Sequence, residues 1–178
     1  PQIDGVTPNP TFNLHTEETR NAPGVSKIRG VEADLTVKPV ANLTLSASYA
    51  YTYTRVPETP NPFLGNIPYQ VYVVYTPKHA VSGAIDYEVP LNAGTGKVRF
   101  HLDANYASRQ HSFQNEAVLA DRSFIVNGRV SLADISLSDS GSKMTFALWS
   151  RNLLDETHIY RLSGSNDKVL GSYGNFNP

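Results

Sequence analysis

Five histidines, His15, His79, His101, His111 and His158, are the side chains of this chain best suited to hold a transition metal. None stands at a ligand spacing such as His-x-x-x-His from another, so no metal centre is expected. Asp86 and Glu88 are a pair of carboxylates of the kind that hydrolyses glycosidic bonds. Two residues apart in an extended segment they share one face, and cross-strand pairing with Lys97, Arg99 or Arg129 is the better account of them. Gly94-Thr95-Gly96 has the small residues of a phosphate loop, but no helix follows it and it reads as a turn. Asn42-Leu43-Thr44 matches a glycosylation pattern by chance in another turn. No catalytic residue, metal or cofactor is expected, and the chain is not read as an enzyme.

Recognition is the chemistry that remains. Aromatic and arginine side chains dominate binding hot spots. Tyr53, Arg55, Arg109, Phe113, Tyr160 and Arg161 are therefore the candidate ligand contacts, carried by long loops and the wall beneath them. The other reading of the same six is a rim of residues at the headgroup level of a membrane.

Six stretches position these residues, each alternating apolar and polar side chains. In Lys97–Ala107, Val98, Phe100, Leu102, Ala104 and Tyr106 take one face, and Lys97, Arg99, His101, Asp103 and Asn105 take the other. A period of two is that of a β-strand with one apolar and one wet face. The same reading applies to 31–37, 43–54, 81–89, 124–132 and 143–151, with Val31, Leu45, Ile85, Val130 and Phe146 among the apolar sets. The apolar faces carry no charge. The polar faces carry ten: Glu32, Asp34, Asp86, Glu88, Lys97, Arg99, Asp103, Arg129, Lys143 and Arg151. Slipping the register by one residue would turn those charges to the apolar side, so the register is strongly specified. Arg29 is the exception, since its parity puts it on the apolar face at the end of its strand, where headgroup depth or a bulge would accommodate it.

Alternation by itself does not distinguish a lipid-facing sheet from a soluble sandwich, but the connections do. Segments 38–42, 90–96 and 133–142 are short turns containing Pro39, Pro90, Gly94, Gly96 and Gly141. Segments 55–80, 108–123 and everything after Asn152 are long. Short turns on one rim and long loops on the other is the asymmetry of an outer-membrane barrel. Strands of this length suit a membrane, which needs about 9 to 11 tilted residues, whereas soluble strands run to about 5 or 6. Tyr49, Tyr51, Tyr53, Tyr106 and Phe124 fall at the long-loop end and Tyr87 at the turn end, as in interfacial aromatic belts.

Composition agrees. The 178 residues contain 40% hydrophobic residues and no run approaching a transmembrane helix. A mean hydropathy of -0.32 is what results when only alternate residues touch lipid. The absence of cysteine suits export through an oxidising periplasm, and a net charge of -1 leaves no basic footprint for nucleic acid. No signal peptide begins at Pro1. The first 25 residues, rich in Pro, Asn and Thr, are expected to be an outer loop with at most a short strand near 11–14, and the tail containing Gly164, Gly171, Gly174 and Pro178 is expected to be loop. Six strands do not close a lumen, which needs about eight, so further strands are expected from elsewhere.

Several motifs bear a resemblance. Arg151-Asn152-Leu153-Leu154-Asp155 resembles the Asn-Leu-Phe-Asp motif before the last outer loop of TonB-dependent outer-membrane receptors, with Leu154 in place of Phe and His158 where Tyr is common, ahead of Tyr160. Thr76-Pro77-Lys78-His79 resembles their Thr-Pro-Arg-His, Arg29-Gly30-Val31-Glu32 their Arg-Gly-Val-Glu, and Tyr173-Gly174 with Pro178 the stretch before their final strand. The resemblance implies an all-β fold, an antiparallel up-and-down transmembrane β-barrel segment of about six long strands with short periplasmic turns and long extracellular loops. It divides the chain into 1–25, an extracellular loop or partial strand, and 26–178, the C-terminal portion of the barrel without plug and final strand. It further implies location in the outer membrane of a Gram-negative bacterium and uptake of a scarce nutrient such as a siderophore, cobalamin or a glycan. The implied partners are outer-membrane lipid, an N-terminal plug, the TonB complex and the small nutrient, with no nucleic acid. A diffusion porin predicts the same sheet without a plug, and a soluble β-sandwich binding module predicts apolar faces covered by a second sheet.

Overall fold

The structure is a computed structural model that describes residues 2–9, 14–21, 24–61, 65–91, 96–138, 141–164 and 173–177. Thr11, Gly94, Thr95, Gly171 and Pro178 lie outside the described residues. The elements in chain order are β1 (Gln2–Asn9), β2 (Leu14–Asn21), β3 (Lys27–Val37), β4 (Leu43–Arg55), β5 (Thr59–Asn61), β6 (Ile67–Tyr69), β7 (His79–Pro90), β8 (Lys97–Ala107), β9 (Gln110–His111), β10 (Leu119–Ala120), β11 (Ser123–Ser136), β12 (Lys143–Ser150), β13 (His158–Ser163) and β14 (Tyr173–Asn177).

The six long strands form one antiparallel sheet in the order β12-β11-β8-β7-β4-β3, an up-and-down meander in chain order. Its register keeps the expected faces intact. Val37, Leu45, Ile85, Leu102, Gly128 and Ser150 form one continuous cross-strand row, and Thr44, Asp86, His101, Arg129 and Trp149 form a row of opposite parity. A two-sheet sandwich is excluded by exposure of the apolar rows, since Leu35 is 60% exposed, Ile85 45% and Leu148 80%. Among the described residues the only buried hydrophobic side chains are Ala120 and Ala133, so the sheet has no core of its own.

The turns follow from local chemistry. Asn42 (φ 65°) supplies the left-handed residue of the β3–β4 turn, and Gly96 (φ 104°) stands where a Cβ would lie 2.5 Å from the Ala133 carbonyl oxygen. Only glycine meets both demands at 96.

Four expectations change. β11 runs on to Ser136, past the turn expected from 133, because a bulge between Leu132 and Ile135 absorbs a residue and lets pairing with β12 resume at Ile135 and Met144. Residues 2–9 and 14–21, expected as loop, are the paired strands β1 and β2, with eight paired positions. The long connections hold small hairpins, β5–β6 and β9–β10, and the tail contributes β14 paired with β13. Pro and Asn read as loop signals, yet in a two-stranded ribbon both strands are edges and a proline such as Pro8 or Pro60 leaves pairing possible. Arg29 needs no bulge, since β3 pairs with β4 without interruption from Lys27 and Arg55 to Val37 and Leu45.

Candidate functional site

The charged face is organised by register. Toward the short turns Lys97 Nζ lies 2.8 Å from Glu88 Oε2 and 3.2 Å from Asp134 Oδ2, and Arg99 Nη2 lies 3.2 Å from the same Asp134 oxygen. Arg99 Nε approaches Glu88 Oε1 at 3.3 Å without hydrogen-bond alignment. Glu88 thus has the cross-strand cations expected for it. Asp86 instead meets His101 Nδ1 at 2.7 Å, and Nε2 of that ring lies 3.4 Å from Asp103. Asp103 Oδ2 also accepts from Asn105 Nδ2 at 2.9 Å and Asn127 Nδ2 at 2.8 Å, and on β3 Asp34 accepts from the Ser48 hydroxyl. These groups are half-exposed and their carboxylates are occupied by neighbours, which makes a wet, fixed-charge wall rather than a catalytic pair. No set of three metal-ligating side chains forms among the described residues.

At the other rim the long loops are joined to one another. Tyr72 N donates to Gln114 O at 2.8 Å, Tyr75 N to His111 O at 2.9 Å, and the Tyr72 and His111 rings stack with centroids 4.1 Å apart. The 108–122 segment is bound in turn to β13. Asp121 N donates to Ile159 O at 2.8 Å, and Leu162 N donates to Ser112 Oγ at 3.1 Å. Both oxygens of Glu116 are used, one accepting from Ser163 Oγ at 2.8 Å and the other from Gly164 N at 2.7 Å.

Asn152 of the Asn-Leu-Leu-Asp motif organises the step from β12 to β13. Its φ of 51° is a left-handed value that Asn tolerates better than most residues. Its Nδ2 donates to Glu156 O and its Oδ1 accepts from Glu156 N, both at 2.9 Å, while its own N donates to Asn127 Oδ1 at 3.1 Å. Glu156 Oε1 accepts from Phe124 N at 2.8 Å, so the motif ties the last loop to β11.

Of the six candidate ligand residues, the structure brings two into contact. Arg161 Cζ lies 4.8 Å from the centroid of the half-buried Phe113 ring. Arg109 and Tyr160 are exposed in the same loop layer. Tyr53 and Arg55 stand apart from these, on the uncharged face at the long-loop end of β4. Ser112, Glu116 and Asp121, which hold the layer together, were not singled out by the sequence. Isolated polar residues in loops carry no period, and their partners lie 38 to 50 residues away.

An exposed uncharged face, a charged opposite face and loops sorted by length onto the two rims define the wall of an outer-membrane barrel. The chain belongs to the TonB dependent receptor-like, beta-barrel family, whose model matches residues 2–153. That family comprises transporters of Gram-negative outer membranes rather than enzymes. The match includes β1 and β2, ahead of residue 26, and stops before β13. No curated protein matches the chain. Among solved structures it is similar to the crystal structure of BauA, the ferric preacinetobactin receptor from Acinetobacter baumannii, with a TM-score of 0.58 and 13% identity. The likeness covers 97% of this chain and 24% of that one, and at this identity it is a likeness of fold.

Proposed function

We propose that the chain is part of the barrel wall of a TonB-dependent receptor in the outer membrane of a Gram-negative bacterium, and that this receptor binds a scarce nutrient outside the cell and carries it to the periplasm. The observation that carries the reading is the register of the six-stranded sheet, which leaves one whole face exposed, apolar and free of charge between its rims. Lipid is the solvent such a face suits. An 11-residue strand such as β8 is about 36 Å long, and tilted near 45° it covers roughly 25 Å, the height of the apolar band of such barrels.

On this reading the short turns lie toward the periplasm and the long loops outside. The charged wall faces the lumen and the plug domain, the partner on which TonB acts. The outer edges of β3 and β12 pair with further strands, because unpaired backbone is not tolerated in hydrocarbon. Residues 26–178 belong to the C-terminal part of the barrel, and 1–25, with β1 and β2, to an extracellular segment ahead of it. Phe113, Arg161, Arg109 and Tyr160 reach the nutrient, whose classes are a siderophore, cobalamin or a glycan; the likeness to BauA, a ferric preacinetobactin receptor, makes an iron chelate the first class to test.

The test is uptake by the full-length gene product. A strain deleted for the gene is grown with ferric siderophores, cobalamin or glycans as the limiting source, and uptake of the labelled nutrient is compared with and without TonB. Restored growth that is lost with TonB is expected. Uptake indifferent to TonB would assign the barrel to diffusion porins instead.

A further inference from the structure

We propose that the charged face carries a binding site for a planar anion, a carboxylate or phenolate borne on a conjugated ring, built by Arg129, Trp149 and Arg151. The inference rests on the receptor reading above, in which this face lines the lumen, and it narrows the nutrient to one that bears such a group. Arg129 of β11 stands directly opposite Trp149 of β12 and, on its other side, opposite His101 of β8. Arg151 shares the parity of Trp149 and lies over its ring, with Cζ 5.5 Å from the ring centroid. The three line one open hollow with His101, Asp103 and Asn127. His101, level with Arg129, is six residues from Ala107 at the long-loop end of β8, about 20 Å along the strand. The hollow is therefore a place on the path below the loop layer, separate from Phe113 and Arg161.

Arg129 is the anchor, because it sits inside the sheet with described strands on both sides. The one carboxylate among its nearest same-face neighbours is Asp103, which is already held by Asn105, Asn127 and His101. Asp86, a strand further away, is held by His101, while Glu88 and Asp134 are held by Lys97 and Arg99. No acidic side chain among the described residues pairs with Arg129, which is exposed. The wall thus matches its central charges internally and leaves one guanidinium over, beside the chain's one tryptophan. Trp149 stands on the wet face of its strand, whereas the interfacial aromatic residues of such barrels face lipid. Tryptophan and arginine are the side chains most enriched at binding hot spots. Guanidinium donors grip carboxylate oxygens in pairs, and a conjugated ring stacks on indole. An inorganic anion has no use for the indole, and a neutral sugar has none for two guanidinium groups. A carboxylate of the plug would satisfy Arg129 but has no use for the ring of Trp149.

The test uses the full-length receptor, purified in detergent and labelled with fluorotryptophan, with the fluorine resonance of Trp149 assigned by its loss in Trp149→Phe. The probe is salicylate, a carboxylate and a hydroxyl on one ring. Salicylamide, its neutral counterpart, and acetate, an anion without a ring, are the controls. Salicylate is expected to shift the Trp149 resonance saturably, with both controls about tenfold weaker. Arg129→Gln is expected to weaken salicylate about tenfold, as the loss of a hot-spot arginine does, and Arg129→Lys, which keeps the charge without the paired donors, to fall between. The absence of a saturable shift overturns the proposal, as does an equal response to salicylamide or acetate, or unchanged affinity in Arg129→Gln. If salicylate is inert and Arg129→Gln instead lets urea release the plug, the arginine belongs to a plug carboxylate and the proposal is overturned. Heat-modifiable migration on a gel establishes that each variant is folded. Should Arg129→Gln not assemble, Arg151→Gln is expected to weaken salicylate in the same titration, and unchanged affinity there overturns the proposal equally. Nutrient uptake indifferent to TonB overturns the underlying reading, whereas TonB-dependent uptake by a receptor that ignores salicylate overturns only the site.

Discussion

Arg99 Nη2 lies 3.2 Å from Oδ2 of Asp134, 35 residues later, and Asp134 occupies the bulge of β11 with a φ of 59°. By the parity of Phe124, Val130 and Leu132 the carboxylate of residue 134 would point to the uncharged side. The extra residue of the bulge turns it to the charged side and returns Ile135, opposite Met144, to the apolar one. The backbone irregularity and the ion cluster are thus one device: without the bulge a carboxylate would stand on the uncharged face, and without the cations the bulge would hold an unmatched charge.

Asp134→Asn separates the two halves of that device. Asn tolerates the left-handed conformation, so the bulge is retained while the charge is lost. Lys97 and Arg99 keep Glu88, which limits the damage. The expected result is a small loss of resistance to urea in vesicles that fades in about 1 M salt, where charges more than about 3 Å apart are screened. A loss of equal size at all salt concentrations would mean that the carboxylate acts through something other than these cations.

Gly96→Ala tests the closest turn. The substitution combines a φ of 104°, unfavourable for any side chain, with a Cβ placed 2.5 Å from Ala133 O. Strained conformations of this kind cost about 1 to 3 kcal/mol, and backbone is slow to yield. Gly141→Ala shares a positive φ of 86° but meets nothing within 4 Å. Unfolding midpoints in urea are expected to fall further for Gly96→Ala than for Gly141→Ala. Equal falls would show that the approach to Ala133 contributes nothing.

Leu102→Arg addresses the solvent of the uncharged face. Leu102 sits in the middle row of the sheet, where an arginine in hydrocarbon costs about 2 to 4 kcal/mol. Ser82→Arg, on the charged face near Asn105, has no such cost. Unfolding of the full-length receptor in lipid vesicles is expected to show the loss for Leu102→Arg only. Equal tolerance of both would place water or protein, not lipid, against Leu102.

The long strands were legible because one apolar and one wet face impose one rule on every second residue, and the bounds of β8 follow directly from Lys97 and Ala107. The end of β11 was not legible, since a bulge breaks that parity at the point where the turn chemistry begins. The loop hairpins were hidden for a related reason. Their pairing is local, two-stranded and indifferent to proline, so residues such as Pro60 and Pro68, which face each other, read as breakers. Asp86 shows what register adds to sequence. Its partner could be sought among the basic residues, but His101 becomes the neighbour only once β7 and β8 are aligned at 86 and 101. Phe113 and Arg161 were each recognisable as recognition residues; that they meet depends on two loops folding onto one another across 48 positions.

Glu116 is the residue on which that loop layer depends most directly, and its removal gives the last prediction. Each carboxylate oxygen holds a different donor at the end of β13, Ser163 Oγ and Gly164 N, while Ser112 and Asp121 hold Leu162 and Ile159. Glu116→Ala removes the acceptor that Ser163 Oγ and Gly164 N share and loosens the chain just after Arg161. Trypsin is then expected to cut after Arg161 and Arg109 markedly faster than in the unaltered receptor, with the long strands still protected. Nutrient affinity is expected to fall as the Phe113 and Arg161 contact loosens, and Arg161→Ala should lower it by about tenfold, as the loss of a hot-spot arginine does. A Glu116→Ala receptor with unchanged cleavage would show that the backbone bonds around Asp121 hold the layer by themselves, and unchanged affinity in Arg161→Ala would move the recognition surface away from Phe113.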